Sequence, residues 1–299
     1  MRYKQILLGL ILFVLLGGFL QITGKFHFFY IEQLQLFQFS EDYLADKISN
    51  PGGLSLIIGE FLTQFFITPY AGPFIIAATL TSIGLTMRAI IRQINPDKEL
   101  FLLYLLPVLS LLLIQYDFNY LVQGTIAFLF CLISLNAWMR IKDPRYRLFS
   151  LSVVLKEAIS RSKQGFYFLA VLIEYLFIGI GSVWSTTITS YRFAFLPDAF
   201  YHPILAAPNL IYFAWVCLPL SLIGAFVYPK GKNQSKKKIG IELIVQFILI
   251  LFLCWVTIPR YNDQKAYPLK VLDYYARTGQ WDEIIRHCHG PIKNYLYLT

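Results

Sequence analysis

The residues of this chain best suited to chemistry are carboxylates placed near the ends of apolar stretches. Glu32 follows the first apolar run, the adjacent acids Glu41 and Asp42 come soon after, and Asp117 lies in a short turn between two further runs. A carboxylate held at a membrane surface can act as a general base toward an acceptor hydroxyl. Arg192 and Arg260 carry the planar donor forks that suit a phosphate. Glu60 and Gln64, spaced i and i+4, share a helical face. Glu174 sits inside an apolar run, where a carboxylate points to a cavity or to a polar partner. Histidine and cysteine do not assemble in the same way. His287, Cys288 and His289 are adjacent, so on a helix they point in different directions and cannot jointly hold one ion. His27 and His202 read as interfacial residues. Neither a metal site nor a cofactor is expected, because the chain has no phosphate-binding loop, dinucleotide fingerprint, zinc-protease motif or serine-nucleophile elbow.

The elements that carry these groups follow from composition. The chain of 299 residues is 57% apolar and 14% charged, with mean hydropathy +0.57. A soluble chain needs roughly 25% charged residues, so much of this surface must face lipid. The formal charge of +9 does not point to nucleic acid, because the basic residues form short clusters between apolar runs, the pattern of a membrane topology code. Cys131, Cys217 and Cys254 lie inside apolar runs and only Cys288 is in a polar segment. No disulfide framework is expected.

The fold class is therefore all-α: a polytopic membrane protein of about seven spans, at 6–23, 72–92, 100–116, 120–138, 166–184, 208–228 and 239–258. The first is read as an uncleaved signal anchor, since no small-residue cleavage site follows it. Residues 54–68 form an eighth apolar stretch, short and interrupted by Glu60 and Gln64. If this stretch dips in and returns, or lies in the interface, one side of the membrane receives seventeen of the 26 basic residues. Five acids accompany them, a net of +12, which leaves −3 of the total +9 for the remainder. The positive-inside rule then puts the N-terminus in the cytoplasm and the C-terminus outside, in a bacterial inner membrane. Residues 145–163 read as a basic helix on the inner leaflet, with a solvated loop as the alternative.

On the outer side, residues 24–71 form the longest loop. Phe28, Ile31, Leu34 and Phe37 recur at helical spacing, and Ser40 before Glu41 and Asp42 is a candidate N-cap. The loop reads as two interfacial helices followed by the 54–68 segment. Residues 1–258 make the transmembrane domain. From 259 a soluble outer region begins, and from Tyr267 it reads as a helical hairpin turning at Gly279. Tyr275, Ala276, Gly279, Trp281 and Ile284 resemble a tetratricopeptide repeat, apart from Ile284 in place of the usual alanine. A lone helix pair cannot bury its own apolar face. The hairpin therefore reads as the start of a longer repeat region or as an arm docked on the membrane domain or a partner, with the truncated repeat region favoured.

Three stretches, His27–Phe37, Gly59–Phe66 and Tyr274–Trp281, resemble an uncharacterised family of multi-pass membrane proteins from Bacteroides-type bacteria, a domain of unknown function. The resemblance implies longer members continuing into helical repeats; it implies no activity. Three functions stay open. The first is an interaction protein whose outer loop and repeat arm bind an envelope protein or glycan. The second is a polytopic transferase of a polyprenyl-phosphate-linked sugar. There Glu32, Glu41 or Asp42 is the base, Asp117 lines the cleft and Arg192 or Arg260 holds the donor phosphate; this is an analogy of architecture alone. The third is a transporter using Glu60 and Glu174, against which no inverted repeat is visible. The sequence leaves catalysis itself undecided.

Overall fold

The computed structural model describes residues 2–49, 53–117, 119–140, 210–228 and 267–287, with isolated positions between 241 and 252. It is all-helical. In chain order the described helices are α1 (Arg2–Glu32), α2 (Glu41–Ser49), α3 (Gly53–Thr63, extended by a 3₁₀ turn over Gln64–Ile67), α4 (Ala71–Ile94), α5 (Phe101–Ile114), α6 (Val122–Arg140), α7 (Leu210–Val227), α8 (Tyr267–Arg277) and α9 (Trp281–His287).

Among the described residues three helices are long and apolar enough to cross a membrane: α1 from Ile6, α4 and α6. The α5 helix has 14 residues, about 21 Å at 1.5 Å per residue, and α7 is likewise among the shorter apolar helices. The expected span 166–184, the surface helix 145–163, and most of 239–258 lie outside the described residues.

The α4 helix forms the centre of the bundle and packs on α1, α5 and α6. Its Ile76, Ala77, Leu80, Ile83, Met87 and Ile90 are fully buried. The α1 helix is peripheral: Ile6, Leu7, Leu10, Ile11, Val14 and Leu15 are exposed along it. An uninterrupted exposed aliphatic face costs free energy in water and none in hydrocarbon. Where α1 meets α4, a side chain at Gly17 would sit 2.6 Å from the Phe74 ring. The glycine lets the two backbones approach, as between membrane helices.

The expected N-cap forms. Ser40 Oγ accepts from the Tyr43 amide at 3.3 Å, and Glu41 and Asp42 occupy the first turn of α2, where the helix dipole favours acids. The expected turn forms too: Gly279 has φ 71°, and the amides of Gly279 and Gln280 donate back to Ala276 (3.2 Å) and Tyr275 (2.8 Å), closing the end of α8. The expected first interfacial helix is corrected. Residues 24–32 continue α1 without a break, while 33–40 leave the helix. Gly24 costs only about 1 kcal/mol in a helix, and the buried Phe28 and Ile31 extend the packed face past it. At 31 residues, α1 is about 46 Å long, longer than the roughly 30 Å of hydrocarbon.

The opposite end of the bundle is basic. Arg88 makes a forked pair with Glu99 (Nε–Oε2 3.1 Å, Nη2–Oε1 2.5 Å), and Arg92 reaches the same carboxylate at 3.3 Å. Asn95 donates to the carbonyls of Ala225 and Tyr228, at 3.4 and 3.3 Å, which ties the α4 end to α7.

Candidate functional site

The polar groups of interest gather where α1 ends, α3 turns into α4 and α5 turns into α6. Phe28 of α1, Phe66 of the 3₁₀ turn and Gly72 of α4 pack together there; a side chain at Gly72 would lie 2.8 Å from Phe28 Cβ. Two helical units dock at this end, each around a charged group.

The first unit is the α2–α3 hairpin. Tyr43 and Lys47 stand i and i+4 on α2, so both face α3. The Tyr43 hydroxyl donates to Glu60 Oε2, and Lys47 Nζ lies 3.1 Å from Oε1. Glu60 is buried. Burial pushes its carboxyl up to about 7 from an ordinary 4.5, because removal from water penalises the charged form. Phe37 meets Tyr43 edge-on at 5.8 Å, and Phe37, Phe39, Phe61 and Phe65 form a run of edge-on contacts, with Phe37–Phe61 and Phe61–Phe65 each at 5.3 Å. These rings pin residues 33–40 against α3. On its other face α3 lies so close to α6 that a side chain at Gly59 would overlap Gln123. The Gln123 amide is fully buried, and neither of its polar atoms has a partner among the described residues.

The second unit is the α8–α9 hairpin, which docks on the extension of α1. Arg277 pairs through Nη2 with Glu32 Oε2 at 2.5 Å, stacks its guanidinium over the Phe29 ring at 4.6 Å and donates from Nη1 to the Phe29 carbonyl at 3.4 Å. Phe26 and Phe29 meet Tyr274 edge-on, at 5.1 and 4.9 Å. Asp273 faces the same cluster. Burial raises its carboxyl and Glu32 adds to the rise, while Arg277 opposes it.

Beneath this rim runs a buried polar string. Lys270 Nζ lies 2.8 Å from His27 Nδ1, and both residues are buried. A charged Lys270 donates to Nδ1, since an ammonium has no acceptor, and the Gln115 backbone also meets the imidazole. Gln115 Nε2 donates to Thr125 Oγ1 at 2.7 Å, which meets the Tyr120 hydroxyl at 3.0 Å. The string thus links α8 to α6 through α1 and the end of α5.

The sequence-expected residues separate on this geometry. Glu32 is held by Arg277, and Asp117 Oδ1 accepts from the Asn119 amide at 2.9 Å, shaping its own turn. Glu41 and Asp42 are exposed at the start of α2. Gln64 opens the 3₁₀ turn; the described partners of Glu60 are Tyr43 and Lys47 instead. Glu174, Arg192 and Arg260 lie outside the described residues. His27 is corrected from an interfacial residue to a buried one, because α8 covers it. Sequence reasoning also missed Lys47, Lys270 and Arg277. The i, i+4 spacing of Tyr43 and Lys47 was a readable signal; nothing local marks Lys270, which is buried while the neighbouring Leu269 is exposed.

Among the described residues no group of three His, Cys, Asp or Glu side chains could hold a metal ion. The chemistry this end can perform is proton transfer at Glu60, whose carboxyl is poised near neutral pH beside a phenol and an ammonium.

The model of a family of unknown function, DUF6057, matches residues 2–299, and the chain belongs to that family. No curated protein and no solved structure matches it.

Proposed function

We propose that this chain is a multi-pass inner-membrane protein that holds a helical arm on its bundle to bind an envelope protein or glycan. The N-terminus is cytoplasmic and the arm periplasmic. The observation that carries this reading is the seating of α8. It is fixed to α1 by Lys270–His27 and Arg277–Glu32, while α9 leaves Trp281 and Ile285, i and i+4, exposed at 63% and 72%. A rigidly held helix with an exposed aromatic and aliphatic pair has the composition of an interface core. The tetratricopeptide-like Tyr275, Ala276, Gly279, Trp281 and Ile284 support the same reading, since such repeats present binding surfaces.

A photo-crosslinking residue at position 281 tests it. A discrete protein or glycan adduct, lost when Ile285 is changed to Ser, is expected; labelling of lipid alone rules the reading out. Impermeant thiol reagents applied to spheroplasts check the orientation. Cys288 should label from outside, and a protected Cys288 together with labelling of a cysteine placed by Lys236→Cys reverses it.

One observation favours a second reading, a lipid-linked glycosyl transferase. The Glu60 carboxyl near 7 suits a general base at the membrane surface better than Glu32, which is neutralised by Arg277. Glu60→Gln should then abolish an envelope glycan without unfolding the chain. Unchanged glycans in a deletion strain count against it.

A further inference from the structure

At the basic end of the bundle the start of α5, the end of α7 and the side chains of Ile241, Val245, Gln246 and Leu249 enclose an open groove of about 410 Å³. That size falls within the usual range for ligand pockets, about 300–1,000 Å³. Its walls are apolar, with Leu103, Val245 and Leu249 among them. The polar side chain in the wall, Gln246, is engaged: its Oε1 accepts from the Leu102 amide at 3.2 Å. Gly224 lies on the α7 wall, where a side chain would sit 3.0 Å from Leu103, so the glycine keeps α7 and α5 close there. Val245 and Leu249 are half exposed, as is the non-lining Ile248, so the groove is open on that side.

The mouth of the groove has the opposite character. Tyr228 lines it, and Lys98 Nζ stands over the Tyr228 ring at 4.4 Å. The twelve residues joining Tyr228 to Ile241, both of which line the groove, include five lysines and no acid. An apolar slot with a tyrosine and a lysine at one end matches an amphiphile with a hydrocarbon tail and an anionic head. Basic pockets between membrane helices recognise anionic lipid in this way.

We propose that this groove is a binding site for an anionic phospholipid, with an acyl chain between α5 and α7 and the phosphate at Lys98. The site is separate from the proposed arm interface and stands without it. The acyl chain displaces no protein contact, since the walls are already joined by Gln246 and the α5–α7 packing. The head is selected by charge, so a zwitterionic lipid of the same tails binds more weakly.

The test uses the full chain, purified, delipidated and titrated with palmitoyl-oleoyl phosphatidylglycerol or phosphatidylcholine, with bound lipid counted by native mass spectrometry. One phosphatidylglycerol should bind at least five-fold more tightly than phosphatidylcholine. Val245→Trp, which fills the slot, should remove that one tight site, whereas Ile248→Trp, outside the slot, should keep it. Lys98→Gln should leave the lipid count but cut the headgroup preference two-fold or more. Circular dichroism confirms that each variant is folded. Equal binding of the two lipids, or a tight site that persists in Val245→Trp, means an annular shell only and overturns the proposal. If Val245→Trp fails to fold, Leu249→Phe takes its place under the same two outcomes.

Discussion

The α2–α3 hairpin and the α8–α9 arm dock on the same end of the bundle, yet each handles its carboxylate differently, Glu60 being buried and Glu32 half-buried. Glu32 meets a guanidinium that also stacks on Phe29 and reaches its carbonyl, so its charge is compensated by a planar, permanently ionised partner. Glu60 meets a flexible ammonium and a phenol, and burial moves its carboxyl to about 7. The contrast teaches that a carboxylate's role here is set by its depth together with its partner. Arginine makes Glu32 a fixture, whereas lysine, tyrosine and burial leave Glu60 able to exchange a proton.

The comparison can be broken most severely at the arm. Lys270→Ala should cost about 2–4 kcal/mol of α8 docking, since it removes a buried stem and leaves His27 Nδ1 without its donor. Hydrogen exchange in nanodiscs should show α8 and α9 losing protection while α4 keeps it; an unchanged α8 contradicts the buried pair. Arg277→Ala should cost about 1–3 kcal/mol, less because its side chain is 26% exposed and solvent screens part of the pair. Limited proteolysis near Gly279 reads this loss, and Glu32→Gln combined with it should recover part of the protection.

At the hairpin the effect depends on pH. The Glu60 carboxyl is raised in the folded state, to about 7 from 4.5. The folded hairpin therefore keeps a proton that the undocked segment has released. Docking is strongest below about 4.5 and weakens as pH rises through 7. Exchange protection of α2 should fall over that window, and Glu60→Gln should flatten the profile. A profile that rises with pH would show that Lys47 outweighs burial. The smallest effect is expected at Tyr70, an exposed non-glycine residue at φ 70°, where α3 hands over to α4. Tyr70→Gly should relieve strain and raise stability by about 0.5–1 kcal/mol, visible as a small upward shift in Tm.

Local signals in the sequence were enough for the α2 cap, since Ser40, Glu41 and Asp42 act within one turn, and for the Gly279 turn, which only a left-handed residue closes. The apolar runs were enough to locate α4 and α6. The end of α1 was misread because Gly24-Lys25 looks like a boundary, yet a helix stops at a competing hydrogen-bond pattern, and none occurs before Glu32. The candidate site was only half legible. Glu60 stood out as an acid in an apolar segment, but its partners come from a different helix. The burial of His27 depends on Lys270, 243 residues away, and no spacing rule reaches that far.

The unbroken α1 helix has one further consequence, concerning insertions and deletions. Leu20 faces the bundle and Phe29 faces the arm on one rigid rod. Each residue added between them turns everything beyond by about 100°, so a single insertion would swing Phe29 and Glu32 away from α8 while Leu20 stayed in place. Additions of roughly seven or eleven residues, about two or three full turns, restore the angle, and they would lift the arm by about 10 or 16 Å. Length variation within this family should therefore avoid residues 21–28 or come in whole turns, a pattern of gaps that an alignment of its members would display directly.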